Sequence, residues 1–202
     1  MSRNIIAILR GVTPDEVCDH AAALIDAGID VLEVPLNSPQ PFDSIARLLE
    51  RFPNATIGAG TVLTVADVDR LAGLGAALVV SPNTDVAVIA ATAQAGMQSW
   101  PGVFTPSDCF AAIGAGATGL KFFPANLIGP DGLRAIRAVL PPSTPCYAVG
   151  GAGPDNFGDW FKAGASGFGI GTAVYRPGQT VEQTVQAAHT IVAAYDAAGG
   201  VA

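Results

Sequence analysis

The sequence predicts an α/β protein, a (β/α)8 TIM barrel formed by a single domain over residues 1–202. Three observations lead to this prediction. Eight short apolar runs recur along the chain, helical patterns lie between them, and an alanine-glycine or leucine-glycine pair often precedes a run. Most runs are apolar throughout, as expected of parallel strands that are buried on both faces.

The eight runs are spaced so that a helix and two short loops fit between neighbouring strands. The predicted strands are Ile5–Leu9, Val31–Leu36, Thr56–Ala59, Leu78–Ser81, Gln98–Pro101, Gly119–Phe122, Cys146–Val149 and Gly167–Ile170. An open doubly wound sheet is the alternative architecture. Eight evenly spaced units with no obvious switch point favour the barrel.

The helical patterns carry recognisable start and stop signals. The segment Thr13-Pro14-Asp15-Glu16 has threonine at the N-cap, proline at the first position and glutamate at the third, and Gly28 is a suitable C-terminal stop. The other predicted helices are Pro39–Phe52, Thr64–Leu74, Asp85–Ala95, Pro106–Ala115, Gly132–Val139, Asp155–Ala163 and Val181–Ala198.

Composition narrows the possible functions. The chain has 202 residues, of which 50% are hydrophobic and 13% are charged, so it can bury one sizeable core and does not resemble a disordered protein. No run approaches the length of a membrane span. The net charge of -7 argues against nucleic-acid binding, which requires a basic surface.

The sequence also predicts a cytoplasmic protein. No secretory signal is visible after Met1-Ser2-Arg3-Asn4. The three cysteines are odd in number, far apart and without CxxC spacing, so we expect free thiols. His20 and His189 lie within helical patterns, and no cluster has metal-ligand spacing, so the sequence predicts no metal site.

Lys121 is the strongest candidate for chemistry, because it lies inside the apolar run 119–123. A buried ammonium is costly unless it is paired or its pKa falls. With a lowered pKa, the neutral amine can attack a carbonyl carbon. The alternative role for Lys121 is a structural ion pair across the barrel.

Two further charged residues lie at predicted strand ends. Glu33, between apolar neighbours, could act as a general acid and base or as the counter-ion of Lys121 or Arg10. Arg10 ends the first strand, where its guanidinium could bind a carboxylate through two N–H groups or pair with Glu33.

Glycine-rich loops follow the last two predicted strands. Gly150-Gly151 and Gly169-Ile170-Gly171-Thr172 allow close backbone approach, and their N–H groups, with a helix N-terminus, could bind a phosphate dianion. Barrels often bind phosphate at these two loops. Tight turns without a ligand are the alternative.

Together, these strand-end segments resemble a known family. From Ile6 to about the final helix, the chain is similar to the bacterial class I aldolases that cleave 2-keto-3-deoxy-6-phospho sugar acids. The resemblance rests on segments 6–11, 33–39, 58–62, 81–83, 121–124 and 150–151. The chain departs from the family at its start, which leaves little room for the N-terminal helix that members often use to close the barrel bottom.

The resemblance implies a role for each site residue. Lys121 would form the Schiff base, Glu33 would move protons, and no metal or cofactor would be needed. Arg10 and Thr61 would hold the pyruvyl carboxylate. The remaining implied contacts are Pro82 and Phe123 against the substrate, Val149 beside the sugar, and Gly150, Gly151, Gly171 and Thr172 around the phosphate.

Within this family, the chain is more similar to members that act on the galactonate epimer than to those that act on the gluconate epimer. It has Leu36-Asn37-Ser38 where the gluconate type usually has Leu-Arg-Thr, and Ala148-Val149 where that type usually has Pro-Thr. The implied partners are a phosphorylated keto-deoxy sugar acid, pyruvate and glyceraldehyde 3-phosphate, in a homotrimer. The alternatives are the gluconate epimer, both epimers, or a barrel that binds a sugar phosphate without cleaving it.

Overall fold

The structure is a computed structural model that describes residues 3–199. Met1-Ser2 of the N-terminal segment and positions 200–202 of the predicted domain lie outside these residues. Within them, nine parallel strands form a nearly closed barrel surrounded by eight helices, so the predicted α/β barrel is confirmed. The strands are β1 (Ile5–Ile8), β2 (Val31–Pro35), β3 (Thr56–Gly60), β4 (Leu78–Val80), β5 (Gln98–Trp100), β6 (Gly102–Val103), β7 (Leu120–Phe122), β8 (Cys146–Val149) and β9 (Gly167–Ile170).

The fifth predicted strand is divided into two halves, which corrects the prediction of one strand there. β5 pairs with β4 and β6 pairs with β7, and Pro101 lies between the two halves. Proline has no N–H to donate, so the ladder changes partner at this residue. The Pro101 carbonyl still accepts a hydrogen bond from the Lys121 N–H at 2.9 Å, which joins the two edges of the sheet.

The helices pack around the outside of the barrel. They are α1 (Val17–Asp26), α2 (Pro41–Arg51), α3 (Val65–Leu74), α4 (Val86–Gln94), α5 (Pro106–Gly114), α6 (Ala125–Arg137), α7 (Phe157–Lys162) and α8 (Val181–Ala197). None of the helices in residues 3–199 combines the length and the apolar character that a membrane crossing requires.

Two predicted helix starts differ from the structure by more than two residues. α1 begins at Val17, although the Thr13 N–H donates to the Glu16 carboxylate at 2.9 Å, as in half of a capping box. α6 begins at Ala125 instead of Gly132, because a first helical turn precedes a break at Gly129, where φ is 69°. Pro130 follows the break and conceals the first turn in the sequence pattern.

The interior is packed in two layers. A large apolar cluster fills the space between the strands and the helices. A smaller cluster fills the barrel itself, and its buried members are Ile6, Ile8, Leu78, Val80, Trp100, Tyr147 and Val149. Below this inner cluster, at the amino ends of the strands, the barrel holds a cavity of ≈490 Å³ with a partly polar lining.

Candidate active site

Lys121 lies on β7 with its side chain inside the barrel, where only 6% of the residue is exposed. Its Nζ atom is 4.8 Å from the centre of the Phe123 ring. Among the described residues, no carboxylate lies within 4.0 Å of Nζ, so a direct structural ion pair is not formed. Burial and the nearby Arg10 lower the Lys121 pKa, whereas Glu33 raises it. The net lowering favours a neutral, nucleophilic amine.

Glu33 lies on β2 and is 1% exposed. Gly60 on the adjacent strand makes room for its carboxylate, because a Cβ at that position would overlap the carboxylate oxygens. The Oε2 atom has no hydrogen-bond partner among the described residues. Burial raises the Glu33 pKa to about 7, even though Lys121 and Arg10 lower it. A carboxyl group with this pKa can both give and take a proton near neutral pH.

Lys121 and Glu33 face the same small cavity in the barrel, with a volume of ≈10 Å³. The structure therefore brings together the two residues that the sequence predicts to be catalytic. Three members of its lining, Ile8, Val149 and Gly169, also line a larger cavity above it, at the carboxyl ends of the strands.

This upper cavity has a volume of ≈580 Å³ and opens at the mouth of the barrel. Seven of the predicted site residues line it: Arg10, Phe123, Val149, Gly150, Gly151, Gly171 and Thr172. Two others, Thr61 and Pro82, follow β3 and β4 but line neither this cavity nor the small one below it. A side chain at the end of a strand can face the rim instead of the centre.

Arg10 extends from the end of β1 into the upper cavity. Its Nη1 atom donates to Oδ1 of Asn37 at 2.8 Å, and it forms no ion pair with Glu33. Asn37 follows β2, so the contact links two neighbouring loops at the mouth. The guanidinium keeps other N–H groups that can bind an anionic substrate group.

The loop after β8 has a backbone that glycine permits. Gly150 and Gly151 have φ angles of 87° and 90°, in the left-handed region. A Cβ at Gly151 would lie 2.6 Å from Cβ of Asn126. The Asn156 side chain fixes the loop, since it donates to the Gly151 carbonyl at 2.9 Å and accepts from the Gly153 N–H at 3.0 Å.

Neither glycine loop runs directly into a helix of its own, although the start of α6 lies beside the loop after β8, where the Asn126 N–H donates to the Gly150 carbonyl at 2.8 Å. α7 begins only at Phe157 and α8 only at Val181. Within residues 3–199, the N–H groups of Gly151, Gly171 and Thr172 donate to no protein acceptor. These backbone donors remain available to an anion.

Arg176 is a cation of this cavity that the sequence analysis missed. Its Nε atom donates to the Thr172 carbonyl at 2.8 Å. In the described part of the chain, its Nη atoms have no hydrogen bond and no carboxylate within 4.0 Å. The sequence feature that could have identified it is its place in the turn Arg176-Pro177-Gly178, which follows the last strand.

Tyr175 holds the Arg176 segment against the body of the protein. Its hydroxyl donates to Oε1 of Glu16 at 3.1 Å, and its ring meets the His20 ring edge-on at a centroid distance of 4.8 Å. His20 is buried, with Nδ1 2.8 Å from Oγ1 of Thr184. His20 thus packs between α1 and α8.

Thr61, at the end of β3, has an unusual backbone with φ at 56°. A β-branched residue in the left-handed region is strained, and such strain clusters at functional sites.

Among the described residues, no group of three or more His, Cys, Asp or Glu side chains is placed to hold a metal ion.

Comparison with known proteins identifies the family. The model of the KDPG and KHG aldolase family matches residues 1–190. A probable 2-dehydro-3-deoxy-6-phosphogalactonate aldolase of Rhizobium meliloti (strain 1021) is 50% identical over 201 residues, which are 99% of this chain and 95% of that protein. The 2-dehydro-3-deoxy-6-phosphogalactonate aldolase of Escherichia coli (strain K12) is 47% identical over 192 residues, 95% of this chain and 94% of that one.

A solved structure described as native KDPGal superposes with a TM-score of 0.95 at 46% identity, over 96% of this chain and 95% of the other. Sequence and fold therefore agree along nearly the whole length, and the chain belongs to the KDPG and KHG aldolase family.

Proposed function

We propose that this aldolase cleaves 2-dehydro-3-deoxy-6-phospho-D-galactonate reversibly to pyruvate and D-glyceraldehyde 3-phosphate through a Schiff base on Lys121. One observation carries the proposal. A buried lysine with a lowered pKa shares a cavity with a buried carboxyl group, below a larger cavity lined by two arginines and two glycine loops. The names of the two bacterial relatives support the substrate.

In the proposed mechanism, Nζ of Lys121 attacks the C2 carbonyl carbon and forms a carbinolamine. Loss of water then gives an iminium ion. A base removes the proton of the C4 hydroxyl, the C3–C4 bond breaks, and its electron pair flows to the iminium nitrogen. Glyceraldehyde 3-phosphate leaves, and an enamine of pyruvate remains on the lysine.

The enamine is then protonated at C3, and water hydrolyses the iminium to release pyruvate and free Lys121. Glu33 supplies and removes the protons in these steps. Its pKa of about 7 suits this role, because both the acid and the carboxylate form exist near neutral pH. The iminium serves as the electron sink, so the cleavage draws on no metal.

The charged groups of the substrate would lie at opposite ends of the upper cavity. Arg10, which is close enough to influence the pKa of both Lys121 and Glu33, would bind the carboxylate next to C2. Phe123, which lines the cavity, would pack against the carbon chain. Thr61 and Pro82 line neither cavity, so their contacts with the carboxylate and the carbon chain stay predictions from the resemblance.

The phosphate would lie against the two glycine loops. Gly150, Gly151, Gly171 and Thr172 would donate backbone N–H groups to it, and Arg176 would add a positive charge. Because Tyr175 anchors this segment and Arg176 retains unpaired N–H donors, the arginine can bind the dianion without giving up an existing ion pair.

Preference for the galactonate epimer would depend on Val149. Its isopropyl group lies at the mouth of the barrel beside Gly169. A Cβ at Gly169 would come within 2.7 Å of Cγ2 of Val149. A threonine hydroxyl at this position, as in the gluconate type, would offer the sugar a hydrogen bond that valine does not. The gluconate epimer, or both epimers, is the alternative substrate.

We also propose a homotrimer that works in the cytoplasm, in galactonate breakdown by the phosphorylated branch of an Entner–Doudoroff-type route. Exposed apolar side chains such as Leu63, Val86 and Phe104 are compatible with a subunit interface. Sedimentation equilibrium measures the assembly, and a monomer at micromolar concentration would contradict it.

Borohydride reduction in the presence of pyruvate, followed by peptide mass spectrometry, tests the proposed chemistry. We expect a reduced pyruvyl adduct on Lys121 and none on Lys162. No adduct on folded protein would contradict the Schiff base and favour a barrel that binds a sugar phosphate without cleaving it. Cleavage assays with both epimers test the substrate, and equal or faster cleavage of the gluconate epimer would contradict the galactonate preference.

A further inference from the structure

The cavity that holds Lys121 and Glu33 is separated from the lower cavity by an aromatic pair. Trp100, at the end of β5, and Tyr147, on β8, line both cavities, together with Ile6. The two rings have a centroid distance of 4.2 Å and an interplanar angle of 43°. They are 6% and 8% exposed, so they seal the interior between them.

The backbone is shaped to accept these two rings. A Cβ at Gly119 would overlap the Trp100 ring, and a Cβ at Gly167 would lie 2.6 Å from Cζ of Tyr147. The Trp100 indole N–H also donates to Oε1 of Gln98 at 3.1 Å, which fixes the orientation of that ring. Two glycines and one hydrogen bond thus hold the pair in place.

Lys121 lines the same small cavity as this pair. On one side it is in register with Tyr147, and on the other its N–H binds the carbonyl of Pro101, the residue after Trp100. The lower cavity, at ≈490 Å³, is large enough for many water molecules and has polar walls, whereas the ≈10 Å³ cavity around Lys121 is near the minimum for one.

We propose that Trp100 and Tyr147 form a plug that closes the barrel below Lys121 and keeps the water of the lower cavity away from its amine. Both residues are positioning residues, because they act on the reaction only through the environment of Lys121. The inference rests on the proposed function, in which this amine is the nucleophile.

The plug predicts how the lysine titrates. Glu33 from β2, Arg10 from the β1–α1 loop and the Tyr147 phenol from β8 are the ionisable groups around Lys121. If water enters from below, the ammonium form regains solvation and the Lys121 pKa rises. The variants at Trp100 and Tyr147 leave Glu33 and Arg10 in place. They therefore change the solvation of the Lys121 amine and not the charged groups beside it.

The test is an NMR titration of lysine side chains labelled at Cε, in the full chain. With two lysines in the sequence, exposed Lys162 is an internal reference. We expect Trp100→Ala to raise the Lys121 pKa by about one unit or more. Trp100→Phe should cause a smaller rise, and Tyr147→Phe, which keeps the ring, should cause none.

Trp160→Ala is the matched control, since Trp160 is the other tryptophan and is 2% exposed in the outer core, away from the lysine. It should destabilise the fold without moving the Lys121 pKa. Where Trp100→Ala does not fold, Trp100→Leu provides the same test. An unchanged Lys121 pKa in folded Trp100 variants, or an equal shift in Trp160→Ala, would overturn the plug.

This titration is independent of catalysis. A protein that forms no pyruvate adduct yet shows the expected pKa rise would contradict the Schiff-base proposal and leave the plug supported. A protein that forms the adduct but shows no rise in the Lys121 pKa would support the Schiff-base proposal and contradict the plug.

Discussion

The two ends of the barrel hold cavities of similar size, ≈580 Å³ at the carboxyl ends of the strands and ≈490 Å³ at the amino ends. Each is lined by two arginines, Arg10 and Arg176 above and Arg3 and Arg137 below. Volume and positive charge therefore do not distinguish the site from the opposite end. The difference lies in how far the protein itself occupies the guanidinium groups.

The lower arginines are committed to structural contacts. Arg3 binds the Asp196 carboxylate through Nε and Nη2, at 2.7 and 2.8 Å. Arg137 donates to the carbonyls of Pro142 and Thr144 and to Sγ of Cys146. Within residues 3–199, the guanidinium group of each upper arginine donates one hydrogen bond, and its other N–H donors have no protein acceptor.

The variant with the largest expected effect tests whether aldol cleavage takes place at Lys121, below the upper cavity. Lys121→Ala should lower kcat/KM for aldol cleavage by about 10⁴-fold or more, as the loss of an essential nucleophile does. Lys162→Ala removes the other lysine, which pairs with Asp159 on the surface, and should leave kcat/KM nearly unchanged. A coupled assay of pyruvate release measures both, and an active Lys121→Ala protein would refute the assignment.

The next effect concerns the carboxyl group of Glu33. Glu33→Gln keeps the shape of the side chain but cannot transfer a proton, so kcat should fall by about 10²–10⁴-fold. Some borohydride-trapped adduct with pyruvate should still form, because Lys121 is intact. Steady-state kinetics and trapping together measure the two expectations, and a kcat equal to that of the parent would remove Glu33 from the mechanism.

A matched pair of arginine variants compares the two ends directly. Arg176→Gln should raise KM for the phosphorylated substrate by about 10- to 100-fold, since a charge-assisted hydrogen bond contributes about 1.5–3 kcal/mol. Arg137→Gln should instead lower the free energy of unfolding by about 1–3 kcal/mol and leave KM unchanged.

Kinetics and urea unfolding of both variants measure this contrast. The borohydride-trapped adduct with pyruvate, which has no phosphate, should be unaffected in Arg176→Gln. An increase in KM in the Arg137 variant alone would reverse the assignment of the two ends.

The smallest effect concerns strain at the upper end. Thr61→Gly should raise the free energy of unfolding by up to about 1 kcal/mol, because glycine accepts the left-handed backbone without cost to a side chain. If the Thr61 hydroxyl contacts the pyruvyl carboxylate, KM should rise roughly threefold to tenfold. Thermal unfolding and steady-state kinetics measure the two quantities, and a less stable variant with unchanged KM would contradict both.

The sequence is most informative where strands end. Apolar runs interrupted by Lys121 and Glu33 mark the buried charges, because such residues are rare in parallel strands without a reason. Glycines likewise mark the loop after β8, since the backbone at 150 and 151 lies in the left-handed region that favours glycine.

Other features depend on packing that a linear pattern does not contain. The divided strand at Pro101 depends on which neighbours meet when the barrel closes. Arg176 enters the cavity because Tyr175 anchors its segment to Glu16, far away in the sequence. The side chains of Thr61 and Pro82 follow strand ends as expected, yet they line neither cavity, because a strand end does not fix the direction of the residue beyond it.

The space that Gly60 leaves for the Glu33 carboxylate has an evolutionary consequence. Any side chain at position 60 collides with the carboxylate, so the two positions cannot diverge independently. A lineage that keeps the acid must keep the glycine, and one that loses the acid is free to fill the gap. Glycine at 60 and glutamate at 33 should therefore be inherited as one unit, although they lie on different strands.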